Sequence, residues 1–212
     1  MYPAYDRSER IADGAMHTVG VIGALAGAAA LSVWSVMHLG PGEVVALGVY
    51  AATLIATFCA SAFYHMTPWE SLRPTLRRID HAAIYLKIAG TYTPLVVLIG
   101  SGFAYALLAL VWALAVFGMI KKLFFWSTPG RFGPALYLAM GWMGVAVIWS
   151  ALPILPVSAT ALIAAGGLLY TIGVVFFSWE RLRYSLAIWH GFVVAASACL
   201  FAAIALGVTA AP

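Results

Sequence analysis

The chain has 212 residues, of which 64% are apolar and only 8% charged, with a mean hydropathy of +1.00. That balance excludes an ordinary soluble domain and identifies a polytopic membrane protein. The formal charge of +4 is no sign of nucleic-acid binding, because its placement along the chain says more than its size.

An apolar helix of about 20 residues crosses the ~30 Å hydrocarbon core, and seven such stretches follow one another here. They run over about 14–37, 43–64, 81–100, 103–120, 134–151, 158–177 and 186–207. The expected fold is an all-α bundle of seven transmembrane helices forming a single domain over 1–212. The opening MYPAYDRSERIAD mixes acids and bases, and the apolar run after it is long enough to span. No cleavable signal peptide is therefore expected.

The connections are HLGPG, MTPWESLRPTLRRID, a tight turn at Gly100–Gly102, KKLFFWSTPGRFG, LPILPV and SWERLRYS. Most carry Pro or Gly, which punctuate helices. Basic residues alternate by side: Arg7 and Arg10 precede the first span, Arg73, Arg77 and Arg78 lie in the second connection, Lys121, Lys122 and Arg131 in the fourth, and Arg181 and Arg183 in the sixth. Ten of the eleven Lys and Arg thus share one side of a seven-span arrangement, and the exception is Lys87 inside the third span. The positive-inside rule makes that side cytoplasmic, with the amino terminus inside and the carboxy terminus outside.

Small residues recur in GVIGALAGAAA and AAGGLLYTIG at spacings that allow helices to approach closely. Cys59 and Cys199 lie inside apolar segments with no paired spacing, so neither a disulfide framework nor a cysteine metal site is suggested. Trp69, Trp126, Trp149, Trp179 and Trp189 fall near span ends, as an interfacial belt does.

The stretch SAFYHMTPWESLRPTLRRIDHAAIYLKIAGTYTP, Ser61 to Pro94, concentrates the chemistry. Ser61 and His65 stand one helical turn apart at the end of the second span, and Asp80 and His81 open the third. His190 lies just inside the seventh span and His17 just inside the first. Four of the five histidines therefore share one depth near the cytoplasmic ends of helices; His38, on the opposite side, is expected to be a solvated loop residue. Ionisable groups inside membrane helices are costly unless they pair, face the interior or line a cavity. Neutral imidazoles with a carboxylate suit zinc, and a catalytic site takes three protein ligands plus an open position. Zinc lowers the pKa of its water to about 7, which makes a nucleophile at neutral pH. Asp80 is a candidate ligand or proton acceptor, and Ser61 a hydroxyl for the metal, the water or a bound carbonyl. Interfacial histidines hydrogen-bonded to loop backbone fit the spacing equally well. Lys87, seven residues after Asp80, is placed to pair with it, to bind an anionic group, or to snorkel toward the surface. The hydroxyls around Pro94 are expected to cover the carbonyls that the proline frees.

The chain resembles bacterial members of the hemolysin III family, within the superfamily of progestin and adiponectin receptors and alkaline ceramidases. The resemblance covers essentially the whole chain and is carried by SAFYH (Ser61–His65), RRIDHAAIYLKIAGTYTP (Arg77–Pro94), MGW (Met140–Trp142), GGLLYTIGVVFF (Gly166–Phe177) and AIWHGFVVAAS (Ala187–Ser197). It implies a seven-helix fold with a cytoplasm-facing zinc site proposed to hydrolyse lipid amides, in the bacterial inner membrane. Carried over by position, the resemblance makes His65 and His190 metal ligands, with Asp80 and Ser61 the nearby acid and hydroxyl. Where the receptor pattern has a second histidine one turn before the retained one, this chain has Leu186. Leu200 likewise stands where many bacterial relatives carry His. The third donor then falls to Asp80, His17 or His81, or the ion is held weakly.

Three functions compete: a zinc-dependent lipid-amide hydrolase, a non-enzymatic membrane regulator whose metal site stabilises one conformation, and a pore or transporter. The pore is disfavoured because Lys87 is nearly alone as an intramembrane charge, and a retinal protein because the seventh span has no lysine for a Schiff base.

Overall fold

The computed structural model describes residues 6–126, 132–179 and 181–210. Among them every regular element is helical: α1 (Arg7–His38), α2 (Pro41–Met66), α3 (Arg73–Ile99), α4 (Gly102–Phe124), α5 (Phe132–Trp142), α6 (Gly144–Ala151), α7 (Val157–Ser178) and α8 (Ser185–Ala210), with a single 3-10 turn at Glu70–Leu72. Six helices are long and apolar enough to cross a membrane: α1, α2, α3 with its 3-10 turn, α4, α7 and α8. The expected span over 134–151 is instead the shorter apolar stretch Ala135–Ala151, broken between α5 and α6.

That break has a local cause. The Tyr92 hydroxyl donates to the carbonyls of Met140 at 2.7 Å and Gly141 at 3.1 Å. An unbroken helix would use those carbonyls for the amides of residues 144 and 145. Beyond them the Ala146 amide bonds back three residues, to the Met143 carbonyl. The MGW motif is therefore where a tyrosine of α3 tightens the neighbouring helix.

The helices close into a ring in which α1 packs on α2 and α8, α2 on α3, α3 on α4, and α7 on α8, while α5 and α6 bridge α3, α4 and α7. Helix α3 runs through the middle and also touches α8. In its apolar window 67% of residues are buried, against 22% in α4 and α7, so α3 is the mast and the others present one face to lipid. Glycine allows the close approach: a Cβ on Gly90 of α3 would run into the Thr53 side chain of α2, and one on Gly118 of α4 would lie 2.5 Å from the Tyr85 ring. In α1 the same holds for Gly20 against Phe58, whereas Gly23 faces open space.

The Gly100–Gly102 turn is built as its sequence predicts. Gly100 caps α3 at φ 66° and Ser101 caps α4 by accepting the Ala104 amide. The hydroxyls flanking Pro94 do not reach the Gly90 carbonyl that the proline leaves without a donor. Thr91 donates to the Lys87 carbonyl and Thr93 to that of Ala89, one turn back from each.

The basic connections gather at one end of the bundle. Arg183, after α7, pairs with Asp6 at 3.1 Å, and Arg78 donates to the Leu123 carbonyl at the end of α4. Arg77 and Lys122 both lie over the Trp126 ring. Arg131 lies outside the described residues.

Two expectations follow from packing and charge. Gly90→Ala should lower the thermal midpoint of the detergent-solubilised protein, since overpacking costs about 1–3 kcal/mol, while Gly23→Ala should leave it within error; equal midpoints for the two would refute the close approach. Ser8, the Glu9 amide and Arg183 hold the Asp6 carboxyl below its ordinary 3.8, at about 2. Its contribution is therefore present above pH 3.8 and lost as pH falls through about 2. Across that window Asp6→Asn should flatten the pH profile of the midpoint, and an unchanged profile would count against the contact.

Candidate metal centre

Asp6 opens α1 with a capping box, its side chain taking the Glu9 amide while Glu9 takes the amide of Asp6. The helix then buries Asp13, His17, Gly20, Ala24, Ala28, Leu31 and Ser35, a stripe spaced by three and four residues. Its first turns thus point a carboxylate and an imidazole, one turn apart, into the bundle. Helix α2 ends at Met66 and presents His65, only 8% exposed, from its last turn. Helix α8 begins after Tyr184, whose positive φ of 61° turns the chain inward, and whose amide is held by the Glu9 side chain at 2.9 Å. Two turns on, α8 buries His190.

Three elements far apart in sequence therefore bring His17, His65 and His190 together. Their ring centres are 5.0 Å apart for His17 and His65, 4.3 Å for His17 and His190, and 4.6 Å for His65 and His190. One ring nitrogen from each lies within 4.8 Å of the others, and all three residues are buried. Asp13 stands against all three: its Oδ1 is 2.6 Å from His190 Nδ1, and its Oδ2 is 3.5 Å from His17 Nε2 and 3.6 Å from His65 Nδ1. The His17 Nε2 atom is buried without a hydrogen-bond partner. An orphaned imidazole nitrogen beside two others and a carboxylate is a donor set that fits a divalent ion of borderline softness.

The remaining expected residues lie around this group. Asp80 is buried and 3.4 Å from His81, with its charge in electrostatic reach of His65 and His190. His81 turns away: its Nδ1 meets the Arg77 carbonyl at 2.9 Å and its ring meets Trp126 edge to face. Ser61 is half-buried in α2, one turn before His65. Leu186 lines, with Asp13 and His65, a narrow cavity of about 10 Å³, so its place is at the centre but its side chain is apolar. Outside it lies an open groove of about 530 Å³ lined by Arg7, Arg10, Ile11, His65 and Met66. His38 ends α1 in the exposed position expected, its Nδ1 meeting the Trp34 carbonyl at 2.8 Å.

Two features were not legible in advance. Asp13 is missing from the expected set, although its spacing of four before His17 puts both on one helix face. Lys87 pairs with neither Asp80 nor the surface. It donates to Ser197 Oγ at 2.6 Å, which also meets Tyr170 OH at 3.0 Å, and its ammonium lies 4.6 Å from the Phe58 ring centre.

The family described as Haemolysin-III related matches residues 6–201. The Bacillus cereus protein named Hemolysin-3 is 34% identical over 194 residues, covering 91% of this chain and 89% of that protein. A Hemolysin-3 homolog of Bacillus subtilis (strain 168) is 30% identical over 195 residues, 91% of each chain. The human Monocyte to macrophage differentiation factor is 29% identical over 171 residues, covering 76% of this chain and 70% of that one. With its apolar helices, its buried histidine cluster and a match over nearly its whole length, the chain is an integral membrane protein that belongs to the hemolysin III family.

Proposed function

We propose that this protein binds a zinc ion at the inner end of its bundle through His17, His65 and His190, and hydrolyses a lipid amide there. The observation that carries the reading is the convergence of three buried imidazoles, one with an orphaned nitrogen, on a single point. His17 supplies the third nitrogen that Leu186 cannot, so the site keeps three histidines by drawing on α1 in place of a second residue of α8. A bound zinc ion supplies Lewis acidity toward water and toward an acyl carbonyl. Asp80, buried and in electrostatic reach of two of the histidines, takes up the proton released when water adds to the amide carbonyl and returns it to the nitrogen as the C–N bond breaks, so that a carboxylic acid and an amine leave. Ser61 offers a hydroxyl from the turn before His65 to orient that carbonyl. The open groove between α1 and α2 leads to His65 and is the route by which a membrane lipid reaches the site.

In this reading the stretch over 134–151 crosses as the fifth of seven helices, in a single domain. The gathering of nine Lys and Arg residues at one end supports a cytoplasmic amino terminus in the bacterial inner membrane. A second reading is favoured by the cavity beside Asp13 and His65. At about 10 Å³ it holds roughly one water and no acyl group. In that reading the ion is a structural clip joining α1, α2 and α8, and the protein is a membrane regulator.

Elemental analysis of the purified protein should find about one zinc per chain, and close to none in the His17→Ala, His65→Ala and His190→Ala variants; wild-type metal no higher than in these variants would end both readings. With ceramide-type amides in mixed micelles, Asp80→Asn should keep its zinc and lose about 10²–10⁴-fold in kcat. Zinc that raises the thermal midpoint while no amide is cleaved by the wild-type protein would decide for the structural clip.

A further inference from the structure

Asp13 is a carboxylate in hydrogen-bond contact with the histidine cluster, through His190. Asp80 is turned to His81, Glu9 is engaged by the amides of Asp6 and Tyr184, and Lys87 is held by Ser197. Asp13 and His190 are only 5% and 7% exposed, so bulk water is largely kept from their contact. The 2.6 Å between Asp13 Oδ1 and His190 Nδ1 marks a short hydrogen bond to a carboxylate. It is too short for two donors of one tetrahedral ion, which at about 2.0 Å from the metal stand about 3.3 Å apart.

We infer that Asp13 is the positioning residue of the metal centre: Oδ1 accepts the Nδ1–H of His190 and so leaves the Nε2 of that ring as its metal donor, while Oδ2 sets a negative charge between His17 and His65. This rests on the reading of the cluster as a metal site, and adds to it a residue, a tautomer and a charge balance. A histidine whose far nitrogen is bonded to a carboxylate is fixed in rotation and made a better donor, and loss of such a partner weakens metal binding about 10–100-fold. Here the carboxylate and the third imidazole come from the same two turns of α1, so the helix that replaces the donor lost at Leu186 also brings the group that aims His190.

Two measurements test the role. In the metal-free wild-type protein, ¹⁵N NMR of labelled histidine should find His190 as the Nδ1–H tautomer, retained in Asp13→Asn, whose amide oxygen still accepts, and lost in Asp13→Ala. Cobalt(II) titration followed by visible absorption should show Asp13→Ala binding about 10–100-fold more weakly than wild type yet saturating at the same stoichiometry. Asp13→Asn should show a smaller loss. An Nε2–H tautomer in the wild-type protein, binding by Asp13→Ala within twofold of wild type, or no cobalt uptake by Asp13→Ala at any concentration would each overturn the proposal, the last by making Asp13 a ligand. Wild-type protein that takes up no cobalt would end the metal reading, and the tautomer would still decide what Asp13 does.

Discussion

A carboxylate taken out of water into a helix bundle must be met by donors or by cations. Asp13 meets that demand with three imidazoles from three helices. The contact joins α1 to α2 and α8 at one end of the ring, and it decides which way the first turns of α1 face. Other polar contacts of α1 accompany it at that end: the cap of Glu9 on Tyr184, the pairing of Asp6 with Arg183, and the placement of His17 one turn inward.

The rest of the bundle solves a different problem. Inside lipid, apolar faces have no reason to prefer one another over acyl chains, so association depends on close packing and on polar groups that find partners. Gly90 against Thr53 and Gly118 against Tyr85 bring α2 and α4 close to α3, and Lys87 ties α3 to α8 through Ser197. The Lys87 ammonium has no carboxylate partner among the described residues. A hydroxyl and two aromatic faces offset its desolvation instead. Tyr92 applies the same logic at the break between α5 and α6, where a hydroxyl satisfies carbonyls that the helix itself gives up.

Mean hydropathy and loop punctuation were enough to find the apolar helices, because lipid imposes one length and one backbone solution on every crossing segment, yet α1 and α3 begin at Arg7 and Arg73, well before the expected starts at 14 and 81. His65 and His190 stood out for the same reason: an imidazole is rare at that depth. Over 134–151 the composition predicts one continuous span, because nothing local interrupts its apolar run. The hydroxyl that breaks it belongs to another helix, some 50 residues earlier in the chain.

What the sequence by itself determined is thus the family, which its motifs carry, and the all-helical architecture, which follows from local composition and spacing. Which of the ionisable groups meet was decided only by tertiary structure. His17 joins His65 and His190 while His81, at the same depth, turns to Trp126, because rotation of a helix about its own axis is set by the partners on its other faces. The role of Asp13 follows from that rotation, and no spacing along the chain could have assigned it.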